Sequence, residues 1–568
     1  MSIDVTAGAS ASAAALTRLK AGLGASAATA LLDRACAALG AQDFEQALAL
    51  ASRALEREPE SGLAWRVAAI AHENLGRHGA ALDAYGCAFE RLGQDPAVAG
   101  DIGRLALRMG LHDIAEQLLL IYLGGHPGSL DGRINLAHAL REQHRYDEAI
   151  AILREAIQAH PEDAGLWTSL GVVLVQQGQS ETALTFFDEA LRLEPGLGRA
   201  LYYRANAAAD LGDHRRAVGD YTAALAGGQL SGTDDERVRF AAALSHLALG
   251  ELEAGWEAYL ARLSPDATHP VQFQVDAEPY AFAPDAAPLE GRSLLLMAEQ
   301  GLGDEVMFAN TTPDVAQALG PAGRLALAVE RRLVPLFARS FPAAEVVAHR
   351  TEKADGRAVR SAPELGAVEL WAPMAAPARR YRRSAADFPD RARFLIADPA
   401  RVEHWRALLA EKPGRKVGIL WKSLKLHGER LRQFAPFDLW RPVLQTPGVS
   451  IVNLQYGDCA AELDHAREAF GVEVWQPPGI DLKEDLDDVA ALTCALGLTI
   501  GFANATINLA GACGAPVWLI TPRAAWTQLG TDAYPWYPQV RCFSASTPGG
   551  WEPVMDEVAA ALKDGGAT

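Results

Sequence analysis

Three segments of this 568-residue chain place polar side chains where an apolar, strand-like run gives way to a turn. In MAEQGLGDEVMFAN (297–310) the run ends at Glu299, and Gly301-x-Gly303 leads to Asp304 at a helix start. Glycine lets backbone approach a ligand closely. A carboxylate there stands at the mouth of a cleft, or simply caps the helix by accepting its free N–H groups. Asp304 is the first catalytic candidate and Glu299, on the same turn, the second. In ILWKSLKLHGERLRQF (419–434) a strand is followed by Lys422, Ser423, Lys425, His427, Arg430 and Arg432. Such a loop suits a phosphate or carboxylate partner, its alternative being a solvated basic surface. In GFANATINLAGACGAPVWLIT (501–521), Asn504 and Thr506 lead into a helix of small residues, with Asn508 one turn on. A helix N-terminus carrying side-chain donors suits a phosphate. A buried, capped helix without a ligand is the plainer reading.

The strands that must position these turns are short and apolar. SLLLMAE (293–299), RLALAVE (324–330), EVVAH (345–349) and VELWAP (368–373) form one series. KVGILWK (416–422), VSIVNLQYG (449–457), VEVWQP (472–477), LTIGFA (498–503) and PVWLIT (516–521) form a second. Two runs of buried parallel-type strands separated by helices imply two Rossmann-like lobes, 291–400 and 401–568. Ligands in such folds bind outside the carboxyl ends of the strands, here in the cleft between lobes. Before them, 264–290 is rich in Pro and Asp, lacks helical period and is expected to be a linker or wrap-around segment.

The first half repeats every 34 residues. Trp167, Gly171, Ala183, Phe187, Ala190 and Pro195 mark the clearest copy, and Ala81, Ala115, Ala149 and Ala217 fall at the same register. A degenerate last copy ends in LGELEAGWEAYLARL (249–263). The pattern resembles the tetratricopeptide repeat: small residues where paired helices cross, an aromatic or Leu in the adjoining groove, Pro stopping the second helix. An α-solenoid over 28–263 is expected, its concave surface holding a protein segment or serving as a spacer. Residues 1–27 read as a flexible Ala/Ser tail, without the basic start of a secretory signal.

A net charge of −19 argues against nucleic-acid or anionic-membrane partners. The uncharged stretch from Val489 to Pro522 is long enough to span a membrane, but its glycines, asparagines and Pro516 divide it into short elements. Six scattered cysteines without a C-x-x-C pair suggest reduced thiols and no zinc site. A soluble, cytoplasmic protein is expected.

EQGLGD, VGILWK, LAGACGAPVWLI, YPWYPQVRCF (534–543) and GGWEPV (549–554), with the LGELEAGWEAYLARL segment, resemble bacterial tetratricopeptide–glycosyltransferase fusions. These are related to the ADP-heptose glycosyltransferases of GT-B fold. The resemblance implies that Asp304 is the catalytic base and that Lys422 contacts donor phosphate. The superfamily's D-T-x-x-x-H-L-A-G is here Ala503-Asn504-Ala505-Thr506-Ile507-Asn508-Leu509-Ala510-Gly511, so Asp, Thr and His are replaced. EQGLGDEVMFAN, WKSLKL and NATINLAG look most like alphaproteobacterial flagellin glycosyltransferases, whose repeats bind flagellin and whose donors are CMP-activated pseudaminic or legionaminic acid. The implied donor site comprises Gly301, Gly303, Lys422, Ser423, Lys425, Asn504, Thr506 and Asn508. A CMP-sugar has one phosphate, so no metal or other cofactor is expected. A transferase using an ADP- or UDP-sugar, and a non-catalytic adaptor or chaperone, stand as the alternatives.

Overall fold

The computed structural model describes residues 27–230, 232–267, 271–354, 357–423 and 432–565. They fall into two compact units, one reaching to Arg204 and including Gln229–Asp234, the other comprising Ala205–Gly228 and the chain from Asp235 onward.

The first unit is a series of helix pairs: Ala27–Gly40 with Phe44–Arg57, Gly62–Asn74 with His78–Arg91, Pro96–Arg108 with His112–Gly125, Leu130–Glu142 with Tyr146–Ala159, and Ala164–Gln177 with Ser180–Leu193. Local chemistry starts these helices on schedule. Ser61, Asp95, Ser129 and Asp163 recur at the repeat spacing, and each side chain accepts a backbone N–H of the helix it opens. The close crossings are where the repeat logic puts them. A Cβ on Gly171 would stand 2.5 Å from the Phe187 ring, so no larger residue fits without moving it. Ala81, Ala115, Ala149 and Ala183 have no exposed surface at all.

The second unit takes in more of the chain than a boundary at residue 263 implies. Its helix His214–Ala226 begins with His214, whose Nε2 bonds the Ala524 carbonyl at 3.0 Å. Trp256, from the degenerate last copy, donates its indole N–H to Arg382 O at 2.7 Å and packs edge-on against Phe308 and Trp536. Trp256 and Tyr259 are part of the α/β core.

That core carries two five-stranded, all-parallel sheets and a smaller one. The linker supplies β1 (Val271–Gln274) and β2 (Glu278–Pro279). The first sheet is ordered β2-β8-β3-β4-β5, with β3 Ser293–Met297, β4 Arg324–Val329, β5 Glu345–Ala348 and β8 Leu370–Pro373. Between β5 and β8 a hairpin, β6 (Arg350–Ala354) and β7 (Arg357–Ser361), joins β1 in a three-stranded sheet ordered β1-β7-β6. Phe273 and Val275 help it pack over Leu295 and Met297 of β3. Hairpin and linker strands alike are short and rich in polar or charged residues, so their apolar signal is weak. The second sheet is ordered β10-β9-β11-β12-β13, with β9 Arg415–Leu420, β10 Val449–Asn453, β11 Leu498–Phe502, β12 Val517–Thr521 and β13 Val540–Ser544. The segment 472–477, expected as a strand, makes one bridge, Val452 to Trp475. The motif YPWYPQVRCF ends in β13, a strand not expected there. Residues 489–522 fold as helix, β11, helix Ala505–Ala512 and β12, and no described helix is long and apolar enough to cross a membrane.

Candidate functional site

In each large sheet the strand order reverses once, between β3 and β8 in the first and between β9 and β11 in the second. Chains leaving the two strands at such a point diverge to opposite faces and open a crevice at the carboxyl ends. All three polar turns begin there.

The first follows β3. Gly301 is the N-cap of a short helix, Leu302–Phe308, and Asp304 sits in its first turn rather than capping it from outside. The carboxylate accepts the Gly301 backbone N–H, which lowers its pKa, but burial outweighs this and pushes the carboxyl up to about 6. The nearby Glu299 and Glu305 add to the rise. No ion pair holds Asp304 among the described residues. A partly buried carboxyl ionising near neutrality is suited to proton transfer.

Glu299 is engaged differently. Both its oxygens accept from Arg262 Nη2, at 2.7 and 2.8 Å, and Oε1 also accepts the Ala375 N–H at 3.0 Å. Ala375 follows β8, so Glu299 ties the two strands of the crevice together. Arg262 also lies over the Tyr259 ring, 4.0 Å from its centroid, and Tyr259 accepts from Gln300 Nε2 at 2.5 Å. The LARL end of the last repeat copy therefore braces the turn from below. Arg262 was present in the motif 249–263, but its role was invisible there: nothing in the sequence relates it to a carboxylate 37 residues on.

The second turn follows β9. Register pairs Gly501 with Leu420, so Lys422 and Asn504 leave adjacent strand ends. Gln455 accepts the Trp421 and Lys422 backbone N–H groups, both at 2.9 Å, and the Lys422 ammonium pairs with Glu462 on the helix Ala460–Phe470. Ser423 continues the turn, half-buried. Lys425, His427 and Arg430 lie outside the described residues.

The third turn follows β11. Asn504 caps Ala505–Ala512 by accepting the Ile507 N–H at 3.1 Å, while its own Nδ2 is buried and has no partner among the described residues. Thr506 is buried in the first turn. Asn508 is bonded on both sides, donating to Asn504 O at 3.0 Å and accepting from Tyr537 Oη at 2.9 Å.

First and third turns abut. A Cβ on Gly303 would meet Asn508 Nδ2 at 3.1 Å, Ala505 N at 3.3 Å and Asn504 C at 3.4 Å. Gly303 thus admits the backbone of the other lobe, whereas the sequence suggested that it admits a ligand. Gly301 is exposed and its Cβ would reach only Asp304 Oδ2, at 3.6 Å. YPWYPQVRCF locks the junction: Tyr537 holds Asn508, and Trp536 O accepts from Asn310 Nδ2 at 2.9 Å.

Helix pairs on a fixed period, followed by parallel sheets whose switch-point turns meet, define a repeat protein joined to an α/β unit. The tetratricopeptide repeat family matches residues 32–96 and 134–197. Protein FlbA of Caulobacter vibrioides is 50% identical over 527 residues, covering 92% of this chain and 88% of that protein. The chain belongs to the FlbA family. Solved repeat structures overlay parts of it: one from Parabacteroides merdae at 17% identity, covering 43% of this chain and 92% of that one with a TM-score of 0.34. Another, YrrB, described as a TPR protein with an unusual peptide-binding site, is 19% identical and covers 30% of this chain and 88% of its own, with a TM-score of 0.28.

Proposed function

We propose that the chain is a glycosyltransferase of GT-B type that transfers a nonulosonic acid, pseudaminic or legionaminic, from a CMP-sugar to Ser or Thr of flagellin in the cytoplasm. The observation that carries the reading is the meeting of the Asp304 turn with the N-terminus of Ala505–Ala512 through Gly303. It brings a proton acceptor of raised pKa beside helix-end N–H donors. In the proposed step the acceptor hydroxyl attacks the anomeric carbon and passes its proton to Asp304. The bond from that carbon to the phosphate oxygen breaks, and its electron pair leaves on CMP. The helix N-terminus capped by Asn504, with Thr506 and Lys422, stabilises the charge developing on the phosphate. Lys422 must exchange Glu462 for the phosphate, or bridge the two. Glu299 keeps the turn in place through Arg262 and Ala375. The acceptor half of the reading rests on the tetratricopeptide array and on the resemblance to flagellin glycosyltransferases.

The test is thermal denaturation with CMP, ADP and UDP, followed by intact-mass analysis of purified flagellin incubated with enzyme and CMP-nonulosonate. A ligand that binds only the folded state raises the melting temperature by mass action. Stabilisation by CMP and a mass gain on flagellin are expected. Stabilisation by ADP or UDP alone would transfer the reading to another nucleotide sugar, and no response to any nucleotide would leave an adaptor.

A further inference from the structure

Four arginines are buried among the described residues: Arg66, Arg141, Arg360 and Arg382. Three sit in ion pairs, Arg66 with Asp101, Arg141 with Glu142 and Arg382 with Asp314. Arg360, 9% exposed, has no such partner. Its bonds go to neutral acceptors: Nη1 donates to the Ala298 carbonyl at 2.6 Å and Nε to Thr351 Oγ1 at 3.2 Å. Nη2 bonds to none of the described residues. Burying a guanidinium without a counter-ion is costly, and burial lowers the Arg360 pKa accordingly.

Its place is informative. Arg360 is in β7, opposite Thr351 of β6 and Phe273 of β1, and the sheet of these three strands covers one face of β3. Ala298, which it grips, directly follows β3 and precedes Glu299. The charges that act on Arg360 are Glu305 and Glu299, which flank Asp304 in sequence. A network behind it fixes the side chain: Thr351 Oγ1 lies 3.5 Å from His349 Nδ1, and His349 Nε2 lies 3.3 Å from Glu305 Oε1. The guanidinium is thus pinned by two nitrogens beside the end of β3, from which the Asp304 turn departs, with the third left over. Arg262, the other cation at this turn, is committed to Glu299.

We propose that Arg360 binds the carboxylate of the donor sugar, which makes the site selective for acidic sugars. The inference rests on the donor reading above. In a nonulosonic acid the carboxylate is bonded directly to the anomeric carbon, so the group receiving it must lie beside the general base. The ionised Asp304, which no ion pair matches among the described residues, would repel an anionic sugar there unless a cation met it. A guanidinium held by neutral partners offers a charge-assisted bond that a neutral sugar cannot use.

The experiment measures the affinity of full-length protein for CMP, CMP-legionaminate and the methyl ester of CMP-legionaminate, for wild type, Arg360→Gln and Arg360→Lys. A hydrogen bond to a charged group contributes enough to change affinity by roughly 10- to 100-fold. Wild type is expected to prefer acid to ester by that factor, Arg360→Gln to bind both alike with CMP affinity unchanged, and Arg360→Lys to fall between. Equal binding of acid and ester by wild type overturns the inference. So does an Arg360→Gln protein that loses all three ligands in parallel and keeps the preference, for then the residue only holds the Ala298 carbonyl. Wild type that binds neither CMP nor its sugars instead overturns the donor reading on which the inference stands.

Discussion

The two units bury charge in different ways. In the repeats a buried carboxylate meets a guanidinium from the adjacent helix pair: Arg66 pairs with Asp101 at 2.7 Å, and Glu73 takes Arg108 and, within its own pair, the Tyr85 hydroxyl, the latter at 2.6 Å. The α/β unit has such pairs too, Arg262 with Glu299 and Arg382 with Asp314. Around the β3 turn, however, Asp304 and Arg360 make no ion pair among the described residues. Matched pairs add rigidity and register, and removing one partner strands the other. An unmatched buried charge weakens the fold and persists where something else uses it. The contrast separates carboxylates that hold structure from one that is free to act, and single substitutions test it.

The largest effect is expected at Asp304. Asp304→Asn keeps the shape and can still accept the Gly301 N–H, but cannot take a proton, so transfer to flagellin should fall about 10²–10⁴-fold. Wild-type transfer should rise with pH and level off above the Asp304 value of about 6. Stability should respond with the opposite sign. A folded-state pKa raised from 3.8 to about 6 contributes stability below 3.8 that is lost as pH rises through 6. Asp304→Asn should therefore melt higher than wild type above pH 6 and no higher below 3.8. A folded Asp304→Asn protein with near wild-type transfer would sink the assignment.

Next come the matched pairs. Glu73→Ala strands Arg108 and should lower the repeat unit's transition in calorimetry of the whole chain, by about 3–5 kcal/mol. Glu299→Gln strands Arg262 and should destabilise the α/β transition on a similar scale, with a smaller loss of turnover than Asp304→Asn. Were Glu299→Gln to abolish transfer without a stability loss, the base would be Glu299 and the contrast would collapse.

A smaller effect is expected where the two lobes touch. Gly303→Ala drives a methyl group toward Asn508 and the Ala505 backbone, and should cost about 1–3 kcal/mol in thermal or denaturant unfolding. Gly301→Ala, facing open space, should stay within about 0.5 kcal/mol of wild type. Equal effects of the two would mean that the turns do not meet.

The sequence was most legible where structure is local or periodic. The 34-residue spacing placed the helix pairs, because each repeat presents the same contact to its neighbour. Apolar runs located β3, β4, β5, β8, β9, β10, β11 and β12, and glycine-bearing turns after β3 and β11 drew attention to Asp304 and Asn504. What escaped is non-local. β6 and β7 are charged at half of their residues and are held by pairing rather than by apolar pattern. The last repeat copy kept its helical period yet joined the α/β core, because Trp256 and Tyr259 bury more apolar surface there.

Residue types and spacing alone determined that this chain has a repeat array, a parallel-sheet α/β unit and polar turns at the strand ends. Only the tertiary structure decided which charges are matched. Arg262 and Arg360 are both arginines in ordinary sequence surroundings, but Glu299 reaches the first and none of the described carboxylates pairs with the second. The energy of a buried charge depends on what lies within a few ångströms of it in space, and at long sequence separation no spacing rule reports that distance.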